Sequence, residues 1–320
     1  MAGEEIPTDL AADDTRTHAG APARPRPDGP GRSGGCHARL MGGAKRSRSA
    51  QAVAVERAVL TDLGAIDDPF ADRLLDPGMA RILLCVRHLV PRALRRRSVT
   101  LAGLAGRVHW HDGAVSHAIA DGIDQVVIVG AGYDSRGWRL AREGVRFLEL
   151  DHPMTQADKQ MRAPAGGPTF VAADLRTADA GLASTRAGLD PDRPSIFVLE
   201  GLTMYLAEDV VLRLLRDLAA ISAPQSRLSV DFYPPQDQAT GRNRRQDALQ
   251  RLARRGSGEG LALTVERADA VRLVESAGWT VTAASGARSA AEELVPHSAR
   301  LPVAAVNERK TLIRAALPSA

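Results

Sequence analysis

The apolar run Val126–Val129 leads directly into the tripeptide Gly130-Ala-Gly132, and this junction constrains the fold more than any other part of the chain. A short apolar run bounded by turn residues is typical of a buried strand in a parallel sheet. Glycines lack a Cβ atom, so the backbone can turn sharply after the strand and approach a ligand closely. The pattern therefore predicts a strand that ends in a nucleotide-binding turn.

A second apolar run, Val145–Leu150, ends in Asp151, which lies 19 residues beyond Gly132. Rossmann-type units place a carboxylate on a ribose hydroxyl at an interval of roughly 20 residues. A dinucleotide site would have a third glycine at position 135, but Ser135 stands there and Arg136 follows, so a pyrophosphate would meet a poorly suited helix start. We therefore expect S-adenosylmethionine (SAM), which carries no phosphate, rather than NAD. A glycine turn that binds nothing is the remaining alternative.

From residue 125 onward, apolar segments alternate with helix-length segments, which predicts an α/β fold with a Rossmann-like, doubly wound parallel sheet. The predicted strands are Val126–Val129, Val145–Leu150, Thr169–Ala172, Ser195–Leu199, Arg227–Phe232, Trp279–Ala284 and Lys310–Ala315. Residues 45–120 are predicted to form a helical cap, and the helices expected there are Ser47–Leu63, Ala71–Leu75 and Ala80–Leu89.

Composition limits the possible partners of the chain. Aromatic residues make up 3% of the sequence, which argues against nucleic-acid binding by base stacking, and the net charge of +4 permits such a partner without requiring it. The two cysteines are too few for a disulfide framework and fit a reducing cytoplasm. Because no stretch reaches the roughly 18 apolar residues of a membrane span, we expect a soluble, cytoplasmic protein. We expect its partner to be a small molecule. The oligomeric state cannot be predicted.

Five segments that occur in one order resemble a known family. They are Asp67-Asp-Pro-Phe-Ala71, Gly122–Leu140, Glu149-Leu-Asp-His-Pro153, Ala173-Asp-Leu175 and Glu200-Gly-Leu-Thr-Met-Tyr-Leu206. In these segments the chain resembles the bacterial class I SAM-dependent methyltransferases related to leucine carboxyl methyltransferase and to polyketide O-methyltransferases of the tetracenomycin type. The resemblance implies a seven-stranded methyltransferase domain over residues 41–320, with an antiparallel last strand and a lid insertion at 234–260. The first 40 residues, rich in Pro, Gly and charge, are predicted to be a disordered tail.

The resemblance also implies which residues hold the cofactor. Gly130 and Gly132 form the turn at the methionyl part of SAM, Asp151 holds the ribose, Asp174 and Leu175 flank the adenine, and Glu200 lies beside the methionyl end. Arg107 stands where family members carry an arginine for the SAM carboxylate, a task that suits a guanidinium. The usual Arg-Thr pair is Arg107-Val108 here, which weakens that assignment. Each assignment has an alternative without a cofactor. Leu175 could belong to the ordinary core, Glu200 could cap a helix, and Arg107 could lie on the surface.

Three further residues are candidates for catalysis. Tyr205 could direct its hydroxyl into the pocket or only pack. His109 and His111 would share one face of a strand, with Asp112 adjacent, which raises the possibility of a metal site. Because no Cys or Glu completes a ligand spacing and methyl transfer from a sulfonium needs no metal, we expect none. The histidines are more consistent with polar helix positions or with the substrate entrance.

The expected reaction is transfer of a methyl group to a carboxylate (or hydroxyl) oxygen of a small secondary metabolite. A carboxylate, with a pKa of about 4, needs no general base, whereas a phenol, with a pKa of about 10, needs one. The sequence assigns no base, which favours the carboxylate. The alternatives are a phenol O-methyltransferase of a polyketide, a protein C-terminal carboxyl methyltransferase, and an RNA-binding methyltransferase or non-catalytic binding module.

Overall fold

A computed structural model of the protein describes residues 47–235 and 261–319. Within these ranges, seven strands form one sheet in the order β3-β2-β1-β4-β5-β7-β6. Strand β7 runs antiparallel to both of its neighbours, and the pairs among the first five strands are parallel. The strands are β1 Gln125–Val129, β2 Arg146–Asp151, β3 Thr169–Ala172, β4 Ser195–Leu199, β5 Arg227–Phe232, β6 Thr280–Gly286 and β7 Thr311–Ala316. The predicted doubly wound sheet and its antiparallel last strand are confirmed.

The helices of the described residues cover the two faces and the carboxyl edge of the sheet. They are α1 Arg48–Leu63, α2 Pro77–Leu89, α3 Arg92–Arg95, α4 Val99–Ala120, α5 Arg136–Arg139, α6 Pro153–Gln160, α7 Ala180–Arg186, α8 Glu208–Ala220, α9 Arg267–Ser276 and α10 Ala287–Leu294. Short 3₁₀ helices occur at Thr203–Tyr205, His297–Ala299 and Val303–Ala305. None of these helices combines the length and the apolar character that crossing a bilayer requires.

The predicted bounds of the first helix are confirmed, and its capping residues explain them. The Ser47 hydroxyl accepts a hydrogen bond of 3.1 Å from the Ala50 N–H, which satisfies a donor at the start of α1. Gly64 adopts a left-handed conformation, with φ of 71°, and its N–H bonds to the Thr61 carbonyl. A glycine in this conformation ends a helix without steric cost, so α1 stops at Leu63.

One local prediction was wrong, and one alternative is excluded. Residues 71–75 form hydrogen-bonded turns instead of a short helix, and the next helix begins at Pro77, where the Asp76 carboxylate caps it. The metal-site alternative, which placed His109 and His111 on one face of a strand, does not hold, because both lie in α4, a helix of 22 residues within the predicted helical cap. Two positions apart on a helix differ by about 200° around its axis, so the two histidines lie on different sides.

The central strands β1 and β4 are buried on both faces of the sheet, as expected for parallel strands covered by helices. On β1, Val127 and Val129 belong to the core that also contains residues of α8 and α9. Val126 and Ile128 belong to the opposite core, which includes Ala114, Val115 and Ala118 of α4. The second half of the predicted 45–120 cap is thus packed directly on the sheet. The predicted tail lies outside the described residues, as does the predicted lid apart from Pro234 and Pro235.

The first half of α4 packs against α10 at a very short distance, and this contact gives a stability prediction. A methyl group at Gly106 would lie 2.8 Å from the Ala291 Cα atom, closer than packed atoms approach. We expect Gly106→Ala to lower the free energy of unfolding by about 1 to 3 kcal/mol, measured by urea denaturation.

Gly103, one turn earlier in α4, provides the matched control. A methyl group there would lie at an ordinary 3.4 Å from the Val306 side chain. Gly103→Ala should therefore raise the free energy of unfolding by about 0.5 to 1 kcal/mol, because alanine favours the helix interior. Equal effects of the two substitutions would contradict the close contact between α4 and α10.

Candidate cofactor and methyl-transfer site

The predicted glycine turn follows β1 and has the expected backbone geometry. Gly130 and Gly132 have φ values of 70° and 51°, in the region that favours glycine. The Gly130 N–H donates to the Leu150 carbonyl at 2.8 Å, which joins the turn to the end of β2. A Cβ atom at Gly132 would lie 2.9 Å from the Ala50 Cβ atom of α1. Helix α1 therefore lies against the turn and contributes to the site.

Asp151 stands at the end of β2 and holds the glycine turn in place. Its Oδ2 atom accepts a hydrogen bond of 2.5 Å from the Gly132 N–H, and its Oδ1 atom accepts one of 2.6 Å from the His152 N–H. Burial raises the pKa of this carboxyl, and the two backbone donors oppose that shift. Each carboxylate oxygen can accept a second hydrogen bond, so a ribose could still bind.

Asp174 and Leu175 follow β3 at the same edge of the sheet. The Asp174 side chain is exposed and accepts a hydrogen bond of 3.1 Å from the Arg176 N–H, so it caps a local turn. Leu175 is buried in the core, and its carbonyl accepts a hydrogen bond from Arg213 at 3.1 Å. Asp174 thus acts as a local cap, and Leu175 belongs to the ordinary core. The Asp174 carboxylate remains accessible to a ligand.

Glu200 follows β4 and bridges two arginines. Its Oε1 atom accepts a hydrogen bond of 2.9 Å from Arg107 Nε, and its Oε2 atom accepts one of 2.6 Å from Arg136 Nη2. Burial opposes ionisation of Glu200, but Arg136 and Arg107 outweigh it and hold its pKa well below the usual range. Because α8 begins only at Glu208, Glu200 does not cap that helix. The bridge joins α4, the glycine turn and β4.

Arg136 is the centre of a buried ionic network that the sequence did not predict. Within the local chain, the Asp134 carboxylate accepts a hydrogen bond of 2.6 Å from the Arg136 N–H. The Arg136 guanidinium also binds Asp112 of α4 at 2.7 Å and Glu200, and Arg139 binds the same Asp112. These partners are 24 and 64 residues from Arg136 in the chain. No local spacing could have revealed them.

Arg107 lies at the centre of the site, buried in α4. In addition to its contact with Glu200, Arg107 donates a hydrogen bond of 2.9 Å from Nη1 to the Tyr233 hydroxyl. The same Nη1 atom lies 3.8 Å from Asp231 Oδ2. The backbone of Gly201 passes so close that a Cβ atom there would lie 3.3 Å from Nη1. Arg107 is therefore not a surface residue, and that alternative is excluded. Its contact with the SAM carboxylate remains a prediction.

The three catalytic candidates occupy different positions. His111 is fully buried, its Nδ1 atom lies 2.8 Å from the Ser229 hydroxyl, and burial lowers its pKa to about 4. It is therefore neutral and does not line an entrance. The Nε2 atom of His109 lies 2.7 Å from the Ala65 carbonyl. No metal-binding cluster occurs among the described residues. Tyr205 is half-buried in the 3₁₀ helix that follows Glu200.

Sequence comparisons agree with this arrangement. The chain matches the model of the leucine carboxyl methyltransferase family over residues 49–219. A relative from Mycolicibacterium gilvum is 33% identical over 260 residues, which cover 73% of this chain and 84% of the relative. A relative from Mycobacterium avium is 31% identical over 288 residues, which cover 82% of this chain and 90% of the relative. The names of both relatives describe S-adenosyl-L-methionine-dependent methyltransferases.

Two solved structures resemble the fold. One from Thermobifida fusca, whose name describes a methyltransferase, has a TM-score of 0.52 at 18% identity and covers 86% of this chain and 96% of its own. A DUF574 family protein from Streptomyces avermitilis has a TM-score of 0.53 at 16% identity and covers 85% of this chain and 98% of its own. At such identities the likeness concerns the fold alone, and it agrees with the class I methyltransferase architecture.

Proposed function

Because the chain belongs to the leucine carboxyl methyltransferase family, and hence to the SAM-dependent methyltransferases, we propose that it transfers a methyl group to an oxygen atom of a small molecule. The observation that carries this proposal is the bridge from Arg107 through Glu200 to Arg136 beside the glycine turn. It places fixed charges of both signs where a zwitterionic amino-acid tail could bind. Such preorganised charges suit alignment of a methyl donor, which requires positioning above all.

The residues at the carboxyl edge fit SAM as the cofactor. Gly130 and Gly132 give the close turn, Asp151 would hold the ribose, and Arg107 would bind the carboxylate of the tail. Asp174 and Leu175 would flank the adenine, with Glu200 beside the methionyl end. When bound, SAM supplies a methyl group activated by a positively charged sulfur. The protein's own task is to orient the acceptor oxygen and to exclude water.

The other proposed acceptors are a protein C-terminal carboxylate and RNA. A small metabolite is favoured over RNA because the chain has few aromatic residues for base stacking, and several of the arginines near the site are paired with carboxylates. RNA binding driven by phosphates would weaken steeply with added salt, so its salt dependence separates these alternatives.

The cofactor and the reaction can be tested together. Calorimetry should show binding of S-adenosylhomocysteine and no comparable binding of NAD. Incubation of the protein and SAM with matched panels of carboxylic acids, phenols and amines, followed by mass spectrometry, should give products methylated on oxygen. Methylation of amines alone would refute the proposed O-methylation but leave the family assignment intact. A preference for NAD would refute the proposed cofactor site.

A further inference from the structure

The hydroxyl of Tyr233 is held between two cations. Tyr233 directly follows β5, so it lies at the carboxyl edge of the sheet with the rest of the site. Its Oη atom accepts hydrogen bonds of 2.9 Å from Arg107 Nη1 and 2.8 Å from Lys310 Nζ. The Lys310 ammonium also lies 4.1 Å from the centre of the Tyr233 ring. Two cationic donors on one phenolic oxygen favour its ionised form over its protonated form.

Other charged groups near Tyr233 come from several elements. Asp231 of β5 lies 3.0 Å from Lys310 Nζ, and Glu200 after β4 binds Arg107 from the other side. Burial and the Asp231 carboxylate oppose ionisation of Tyr233. Lys310 and Arg107 outweigh them, so the pKa of this phenol lies below its ordinary value of 10.0.

Glu56 of α1 interacts electrostatically with the same two cations, Arg107 and Lys310. Its side chain is half-buried, and burial raises its pKa to about 7, against the attraction of Arg107 and Lys310. Near neutral pH this carboxyl therefore exchanges a proton readily. Glu56 belongs to the helix that also covers the glycine turn, and Arg107 and Lys310 act on it as they act on Tyr233.

Arg107 connects Tyr233 to the proposed cofactor site. One guanidinium group binds both Glu200, which the family resemblance puts beside the methionyl end, and the Tyr233 hydroxyl. Tyr233 is itself partly exposed. The Tyr233 phenol therefore shares its arginine with the proposed methionyl end of the site, and its acidity is shifted toward neutral pH, as general-base catalysis requires.

We propose that Tyr233 is the general base of the enzyme and that the acceptor is a weakly acidic hydroxyl of the phenol class rather than a carboxylate. This inference rests on the proposed O-methyltransferase function. The Tyr233 phenolate takes the proton of the acceptor hydroxyl while the acceptor oxygen bonds to the methyl carbon. The carbon–sulfur bond of the donor breaks and leaves its electron pair on sulfur. Tyr233 then returns its proton to solvent.

The ionisation of Tyr233 can be measured without any acceptor. The chain contains three tyrosines, at positions 133, 205 and 233, so protein labelled with ¹³C at the tyrosine ring gives three resolvable signals. One signal should titrate below the ordinary pKa of about 10 and disappear in Tyr233→Phe. In Lys310→Met the same signal should titrate at higher pH. The Tyr133→Phe variant is the matched control and should leave this titration in place.

Kinetics on a phenol found in the acceptor screen provide the second measurement. Tyr233→Phe should lower kcat on the order of a hundredfold while S-adenosylhomocysteine still binds. The alkaline rise in wild-type rate should follow the Tyr233 titration and move to higher pH in Lys310→Met, a shift that a merely structural role would not produce.

Several results would overturn this inference. They are a Tyr233 pKa at or above the ordinary value, an unchanged kcat in Tyr233→Phe, or a screen that yields only carboxylate acceptors. In each case S-adenosylhomocysteine binding and O-methylated products would still support the proposed function. If no acceptor emerges, the titration alone decides. Loss of cofactor binding in the wild-type protein would instead refute the proposed function itself.

Discussion

Arg136→Met is expected to lower the free energy of unfolding by about 3 to 5 kcal/mol, because it removes a fully buried cation that three carboxylates share. Arg136 is fully buried and contacts Asp112, Asp134 and Glu200. Burial disfavours the charged form of all three carboxylates, and in the native protein the positive charge of Arg136 offsets this cost. The variant would lose that offset. Urea denaturation followed by circular dichroism would measure the change.

An exposed arginine gives the control for this experiment. Arg272 pairs with Asp269 on the surface of α9, and its side chain is 69% exposed. Surface ion pairs contribute little, so Arg272→Met should change the free energy of unfolding by less than about 1 kcal/mol. Comparable losses in the two variants would show that the buried network does not hold the site together.

Asp151→Ala is expected to weaken binding of S-adenosylhomocysteine by roughly 100-fold to 10,000-fold. Two charge-assisted hydrogen bonds to the ribose would be lost, each contributing about 1.5 to 3 kcal/mol. The Gly132 N–H would also lose its acceptor, so the turn itself would be less well held. Titration calorimetry with S-adenosylhomocysteine gives the dissociation constant directly.

Asp179→Ala separates this effect from a general loss of stability. Asp179 caps α7 through a hydrogen bond of 2.8 Å from the Leu182 N–H, away from the glycine turn. Its removal should cost about 1 kcal/mol of stability and leave the affinity unchanged. Binding by Asp151→Ala that stays within twofold of wild type would show that Asp151 only anchors the backbone.

The sheet was predictable from the sequence because its signals are local. The predicted strands are short runs rich in apolar residues, and Thr169–Ala172 and Ser195–Leu199 were predicted with the observed bounds. Helix α4, which contains His109 and His111, was predicted only as part of the helical cap over 45–120 and without bounds of its own. The apolar residues of α4 face both helices and sheet, so the helix lacks a clear one-sided pattern.

The charged part of the site was much less predictable. Arg107 and Glu200 were identified only through the family resemblance, and their contact joins residues 93 positions apart. Tyr233 directly follows one predicted strand and Lys310 begins another, and no local motif indicates that their side chains meet. Such pairs are determined by the order of strands in the folded sheet, which the spacing of residues along the chain does not encode.

The place of β7 in the sheet has a consequence for how the enzyme is made. Strand β7 follows all the other strands in the chain, yet it lies between β5 and β6 and forms the hydrogen bonds that join β6 to the sheet. During synthesis from the amino terminus, β5 is left as an open edge until β7 emerges from the ribosome. Lys310 arrives with that strand. The nascent chain can therefore assemble its glycine turn early, while the cation pair around Tyr233 forms only when the last strand is inserted.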